Sequence, residues 1–198
     1  MKPRTSRTTP IVWLCLALPA ISWGVTFTQQ GAIIADDVLN PTGALSAILF
    51  ILALTATPLR YVWPRGVFTV WLLRNRRYQG IASFGYALLH TLFYLLDAGS
   101  LSKVVSQLPI LEIWTGWISL LIMVPLAFTS SDVAVRKLGR QWKKLQRWAY
   151  AAAVLGLLHA LSLNNWEDPW EPMIVSAPLI VLQVLRLKRK ITTRRTSA

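Results

Sequence analysis

The two histidines of the chain are the residues best suited to chemistry. His90 and His159 both lie inside long apolar stretches. In a soluble core a lone histidine is usually a hydrogen-bonded packing residue. Within a membrane an ionisable side chain is costly and usually marks a functional interior. The interpretation of both histidines therefore depends on whether the stretches around them cross a bilayer.

Six apolar runs, separated by polar stretches, take up half of the 198 residues. Each run approaches the roughly 20 residues that a helix needs to cross a bilayer core about 30 Å thick. Lipid cannot satisfy backbone N–H and C=O groups, so runs this long and continuous must be helical. We therefore predict an all-α polytopic membrane helix bundle with about six transmembrane helices, formed by residues 11–28, 43–59, 78–96, 113–128, 148–163 and 173–185.

The distribution of charge predicts how these spans are oriented. The net charge is +13, and an inside N-terminus places twenty of the 21 basic residues in cytoplasmic segments, leaving only Lys103 outside. Seven of the eight acidic residues then lie outside, and Asp132 lies inside. The positive-inside rule therefore predicts that both termini are cytoplasmic. Because the positive charge is spread over loops at a membrane face, it favours membrane lipid headgroups as partners and argues against nucleic acid.

The remaining sequence leaves little room for other structure. We predict a single transmembrane domain over residues 1–198, with a core bundle at about 42–163 and a basic cytoplasmic tail at 187–198. Residues 62–76 mix aromatic and apolar side chains with arginines over too short a length to span. We expect them to lie along the cytoplasmic interface as a partly helical segment, with a re-entrant loop as the alternative. Cys15 is the only cysteine, which excludes an intrachain disulfide, and we find no internal repeat.

The two histidines are predicted to lie at a shared depth. His90 is 13 residues beyond Arg77 and His159 is 12 beyond Arg147, distances of about 20 and 18 Å along a helix. The third and fifth spans run in the same direction, so both imidazoles reach a similar level in the outer half of the bilayer. Two neutral nitrogen donors at one level are what a six-coordinate haem iron needs from above and below.

Small residues precede both histidines at helical spacing: Gly80, Ser83 and Ala87 in one span, Ala152 and Gly156 in the other. Such residues leave room for a flat porphyrin, but they also let membrane helices pack closely. Spacing alone therefore does not separate haem ligation from packing. Zinc is disfavoured, because two histidines without a nearby cysteine or carboxylate leave it under-coordinated.

A set of short motifs runs in order between Thr42 and His159: Thr57–Arg60 (TPLR), Arg76–Gly80 (RRYQG), Tyr86–His90 (YALLH), Leu126–Ser130 (LAFTS) and Leu138–Leu145 (LGRQWKKL). Together these motifs resemble the ferric-reductase-like transmembrane family. Within that family they are most similar to the haem-binding subunits of methionine-sulfoxide reductase systems.

The resemblance implies one b-type haem in the bundle, with His90 and His159 as its iron ligands, and FMN as an optional second cofactor. It implies an electron-transfer subunit of a bacterial cell inner membrane, with no substrate catalysis of its own. Electrons would pass from the quinone pool or a cytoplasmic flavin reductase to a periplasmic molybdopterin-dependent methionine-sulfoxide reductase. The candidate partners of an FMN phosphate or of haem propionates are Arg60, Arg74, Arg76 and Arg77. Ordinary positive-inside charge accounts for these arginines equally well.

The chain departs from the family's pattern at position 146. Members often carry a second histidine 13 residues before the one that matches His159, and this chain has Gln146 there. Glutamine is a poor ligand for haem iron, so we predict at most one bis-histidine haem. No inner haem would then carry the electron from the cytoplasmic face to that haem. An FMN near the inner face would shorten the distance that the electron must cross.

Two other classes of function stay compatible with the sequence. A stand-alone transmembrane reductase of ferric iron or quinone would be expected to carry a nucleotide-and-flavin domain, and we predict none in this chain. A non-redox membrane protein, such as a transporter or an assembly factor, predicts acidic or polar residues within the spans. The spans contain few such residues besides the histidines.

Overall fold

The computed structural model describes residues 9–30, 35–166 and 169–196, and almost all of them are helical. A single 3-10 turn, Leu163–Trp166, interrupts the described part of the chain between its last two α-helices. The α-helices of this part are, in order, α1 (Thr9–Gln30), α2 (Ala35–Val62), α3 (Val67–Ala98), α4 (Leu101–Gln107), α5 (Leu111–Phe128), α6 (Asp132–Leu138), α7 (Arg140–Leu145), α8 (Trp148–Ser162) and α9 (Trp170–Thr196).

The predicted all-α membrane bundle is confirmed. Each of the six predicted apolar runs lies within one helix, apart from residue 163, which is one residue beyond α8; the helices are α1, α2, α3, α5, α8 and α9. α1 includes the shorter apolar stretch Ile11–Val25, and α8 has 15 residues. Stretches long and apolar enough to cross a membrane occur in the other four helices, at Val38–Val62, Val67–Ala98, Leu111–Phe128 and Trp170–Lys188.

The outer surface of the bundle suits a hydrocarbon solvent. Large apolar side chains with much of their surface exposed occur on several of the long helices, including Leu92, Leu121, Phe128, Val154 and Ile180. A soluble monomer rarely exposes so much apolar surface, whereas lipid covers it at no cost. The orientation with both termini in the cytoplasm, and the domain limits at 42–163 and 187–198, stay predictions. Residues 1–8 and 197–198 of the predicted cytoplasmic ends lie outside the described residues.

The partly helical segment predicted at residues 62–76 is helical from Val67 onward, and its place along the cytoplasmic interface stays a prediction. α3 begins at Val67 and continues without a break for 32 residues. Only a short turn separates it from α2, because Pro64 lacks a backbone N–H and disfavours helix at the residue before it. The turn is tight: a Cβ at Gly66 would lie 2.9 Å from Cδ2 of Trp63.

The helices pack as two close pairs with further helices against them. α2 lies along α3 and α5 lies along α8, while α9 packs on α2 and α1 on α3. One buried cluster joins both pairs to α9 through Leu54, Leu126, Ala149 and Leu179. Tyr86 of α3 attaches α1, because its hydroxyl donates to the carbonyl of Leu16 at 2.7 Å. This arrangement places α3 and α8, the helices with the histidines, in different pairs.

Glycine ends α3 and lets the chain turn back. Gly99 has a φ of 67°, in the left-handed region, and its N–H donates to the carbonyl of Leu95. Glycine adopts this conformation without the steric cost of a side chain. Ser100 then begins α4, where its hydroxyl accepts from the backbone N–H of Lys103 at 3.3 Å. The turn therefore directs the chain through α4 into α5.

Candidate functional site

The structure brings His90 and His159 together across the bundle. Their ring centroids are 6.0 Å apart and the ring planes meet at 80°. Both side chains are half-buried. The close approach follows from the packing of the two helix pairs, since one histidine belongs to each pair.

Each imidazole is held by a backbone carbonyl of the neighbouring helix. Nδ1 of His90 lies 2.9 Å from the carbonyl oxygen of Leu39 in α2. Nδ1 of His159 lies 2.6 Å from the carbonyl oxygen of Glu112 in α5. A carbonyl only accepts, so Nδ1 must donate in both rings, and a neutral ring then keeps its lone pair on Nε2. Both histidines are thus in the tautomer that can ligate a metal ion through Nε2.

Each ring also lies against a glycine. A Cβ at Gly43 of α2 would come within 3.1 Å of Cε1 and Nδ1 of His90. A Cβ at Gly116 of α5 would come within 3.0 Å of Nδ1 of His159. These two glycines and the two carbonyl acceptors contact the candidate ligands, and the sequence analysis missed them.

Short sequence matches occur around these contacts, where the sequence analysis found no internal repeat. Thr42–Ser46 (TGALS) in α2 matches Thr115–Ser119 (TGWIS) in α5, and Ala87–His90 (ALLH) in α3 matches Gly156–His159 (GLLH) in α8. The copies are short, and different intervals separate the two halves of each. A search for a single fixed period therefore misses them, whereas a comparison of the segments before each histidine would have found the second match.

In each pair, a serine hydroxyl of one helix donates to a backbone carbonyl of the other, at the same number of residues from the histidine. Ser46 Oγ donates to the carbonyl of Ser83 at 2.9 Å, and Ser119 Oγ donates to the carbonyl of Ala152 at 2.9 Å. Both acceptors lie seven residues, about two helical turns, before the histidine of the same helix. The same contact at the same distance from each histidine sets its position along the bundle.

The geometry of the pair fits the two axial ligands of one metal ion. A nitrogen–metal bond of about 2 Å, plus about 1 Å from Nε2 to the ring centre, gives a centroid separation of about 6 Å for two rings on one metal, and the observed separation is 6.0 Å. Among the described residues, no group of three or more His, Cys, Asp or Glu side chains could hold a metal ion. A metal at this pair would thus need equatorial ligands from elsewhere, as a porphyrin supplies them to haem iron.

The four candidate arginines have different surroundings. Arg76 is partly buried, and its Nη1 donates to Oγ1 of Thr57 at 2.9 Å. Arg77 Nη1 forms an ion pair with Oδ1 of Asp132 at 2.6 Å, which ties α3 to α6. Both arginines lie about 20 Å along α3 from the histidine. Arg60 on α2, Arg74 on α3 and Arg77 are exposed.

Gln146 has a structural partner. Its Nε2 donates to the carbonyl of Leu126 at 3.3 Å, near the end of α5, where carbonyls lack intrahelical donors. The hydroxyl of Ser130 donates to the same carbonyl at 2.7 Å. The Gln146 side chain therefore caps the C-terminal end of α5, and this structural role does not involve a haem.

Replacing Gln146 with alanine is expected to leave the haem-to-protein ratio unchanged and to lower the thermal stability slightly. The lost hydrogen bond contributes about 0.5–1.5 kcal/mol. Haem content by absorbance and unfolding temperature in detergent check this, with Gln141→Ala as a control on an exposed glutamine of the neighbouring helix. Loss of haem in Gln146→Ala alone would show that this position helps to hold the cofactor.

The fold and the site together define a polytopic helical membrane protein in which two histidine rings meet across the bundle. The model of one protein family, described as the ferric reductase like transmembrane component, matches residues 42–157. This range contains both glycines and His90, and it ends two residues before His159.

Curated relatives agree with this match. The chain is 36% identical over 190 residues to a Brucella anthropi protein called protein-methionine-sulfoxide reductase heme-binding subunit MsrQ, covering 90% of this chain and 82% of that protein. It is also 36% identical over 181 residues to the MsrQ of Brucella ovis, covering 87% and 78%. The chain belongs to the ferric-reductase-like transmembrane family, in its MsrQ branch, and the predicted resemblance is confirmed. No solved structure matches it.

Proposed function

We propose that this protein is an electron-transfer subunit of a bacterial inner membrane that holds one haem b between His90 and His159. The observation that carries the proposal is the separation of 6.0 Å between two imidazoles that both donate from Nδ1. The relatives named as heme-binding subunits support the same assignment.

The chain's own residues hold and orient the cofactor. Nε2 of each histidine would hold the haem iron, and the carbonyls of Leu39 and Glu112 keep each ring in one tautomer. Haem iron between them would supply a centre that gains and loses one electron. The long apolar helices keep bulk water away from the pair, which tunes the potential of such a centre.

The position of His90 along α3 supports electron delivery to the periplasmic side. Asp97 is seven residues beyond it, about 10 Å along the helix, and it is exposed. Arg77 is 13 residues before it, about 20 Å in the opposite direction. A haem at this level lies nearer the predicted outer surface. We propose that it serves a periplasmic molybdopterin-dependent methionine-sulfoxide reductase. A basic patch on that partner would dock against the acidic outer loops of this chain.

The longer distance to the cytoplasmic face bears on the electron donor. We propose the quinone pool or a cytoplasmic flavin reductase, and an FMN near the Arg-rich end of α2 and α3 as an intermediate carrier. Arg60 and Arg74 are exposed there and are suited to a phosphate group, whereas Arg77 is paired with Asp132.

The difference spectrum of the purified protein tests the proposal. We expect a reduced-minus-oxidised spectrum of low-spin haem b and a haem-to-protein ratio near one. A ratio near two would contradict the single site. A protein that is well folded by circular dichroism, has been expressed with ample haem supply and yet has no haem spectrum would contradict the haem function itself.

A further inference from the structure

We infer that Gly43 and Gly116 are positioning residues that, with Thr42 and Thr115, form two matched cradles controlling the orientation and basicity of the histidine ligands. Each cradle is one helical turn, Leu39–Gly43 for His90 and Glu112–Gly116 for His159. The inference rests on the proposed haem function, because it concerns how strongly each histidine donates electrons to iron.

The glycines are explained by close approach and not by backbone conformation. Among the glycines of the described residues, positive φ occurs at Gly99 and Gly139, so Gly43 and Gly116 have ordinary helical φ. What distinguishes them is that a Cβ would lie 3.0–3.1 Å from the ring of a histidine. Carbon contacts are optimal at about 3.5–4.0 Å. A methyl group at either position would therefore displace the ring by a few tenths of an ångström or tilt it.

The two carbonyls of the cradles are shared with a threonine. Thr42 Oγ1 lies 2.6 Å from the carbonyl oxygen of Val38 and 2.8 Å from that of Leu39, and Thr115 Oγ1 lies 2.6 Å from the carbonyl oxygen of Leu111 and 3.1 Å from that of Glu112. Both threonines are fully buried. A hydroxyl that bonds back to its own helix bends the helix slightly. Each hydroxyl shares its one hydrogen between two carbonyls, and a carbonyl oxygen that accepts from two donors holds each less strongly, so the hydroxyl weakens the bond from the imidazole.

The two hydrogen-bond distances to the shared carbonyl vary in opposite directions between the cradles: where the imidazole nitrogen is closer, the hydroxyl is farther away. At Glu112 the imidazole nitrogen is close, 2.6 Å, and the hydroxyl is far, 3.1 Å. At Leu39 the imidazole nitrogen is 2.9 Å away and the hydroxyl is 2.8 Å away. A stronger hydrogen bond from Nδ1 makes the imidazole a more basic ligand. His159 is thus the stronger donor to iron, and changes in its cradle should have the larger effect.

This arrangement predicts shifts of opposite sign for two neighbouring substitutions. Gly116→Ala pushes the ring off its carbonyl, weakens the hydrogen bond and makes His159 less basic, so the midpoint potential of the haem should rise. Thr115→Val keeps the side-chain shape but removes the competing hydroxyl, so the potential should fall. Gly43→Ala should raise the potential by less than Gly116→Ala. The matched control is Gly85→Ala on α3, where a Cβ would have no neighbour within 4 Å.

The experiment is a potentiometric titration of each purified, haem-loaded variant, with its low-temperature electron paramagnetic resonance spectrum recorded alongside. A potential and a spectrum in Gly116→Ala identical to those of Gly85→Ala would overturn the inference. So would shifts of the same sign in Gly116→Ala and Thr115→Val. Should Gly116→Ala fail to fold, Thr115→Val and Gly43→Ala decide by the sign of their shifts. Wild-type protein without haem would contradict the proposed function, and this is seen before any variant is made.

Discussion

Replacing either His90 or His159 with alanine is expected to abolish the low-spin haem spectrum, leaving no haem or a weakly held five-coordinate one. Under the proposed function each imidazole would supply one iron ligand, so neither could compensate for the other. Absorbance of the purified variants and their haem-to-protein ratio measure the loss. Thr91→Ala is a suitable control, since Thr91 adjoins His90 but its hydroxyl bonds only to the carbonyl of Ala87 in its own helix.

A cavity variant separates the loss of a ligand from the loss of the fold. His159→Gly leaves space beside Gly116 that free imidazole can occupy. Addition of imidazole should restore the low-spin spectrum if the histidine acts as an iron ligand. Full haem retention in both alanine variants would contradict the assignment, and the two histidines would then be packing residues.

Electron transfer across a vesicle membrane is expected to need the donor, the haem and both histidines together. The protein is reconstituted with a quinol or flavin reductase on the Arg-rich face and a periplasmic methionine-sulfoxide reductase on the other. Sulfoxide reduction should proceed with wild-type protein and fall to background with His159→Ala, because the haem is the only carrier proposed in the outer half of the bundle.

Two outcomes of the vesicle experiment would change the proposed function. The ferric reductase name of the family makes a stand-alone reductase the second candidate. That candidate is favoured if ferric iron or oxygen reoxidises the haem quickly while the sulfoxide reductase never does. An unchanged rate with His159→Ala would show that electrons bypass the pair.

The spans could be predicted from the sequence because lipid offers no hydrogen-bond partners to the backbone, so a long apolar segment must be helical. Where polar residues adjoin a span, the same pattern is ambiguous. Residues 67–76 are amphipathic enough to lie along an interface, yet they form the first turns of α3, since Pro64 and Gly66 already provide the turn after α2. Hydropathy registers how apolar a segment is, and it does not register whether the next helix has begun.

The histidine pair could be predicted from helical rise along two spans with the same direction. The cradles could not, because the acceptors are the main-chain carbonyls of Leu39 and Glu112. Every residue has such a carbonyl, so the side chain at that position carries no signal. Gly43 and Gly116 are visible in the sequence, but glycines in membrane helices are explained equally well by close helix packing. Only the structure shows that each lies beside a histidine ring.

The repeated contacts make the bundle equivalent to two subunits fused in one chain. The α2–α3 hairpin and the α5–α8 pair each contain a complete half-site, with its own imidazole, carbonyl and glycine. Neither half needs the other to orient its ring, so both ligands are set before the cofactor arrives. A haem held by both halves would act like the shared ligand of a dimer, and it would stabilise the folded bundle by an amount that rises with the logarithm of its concentration.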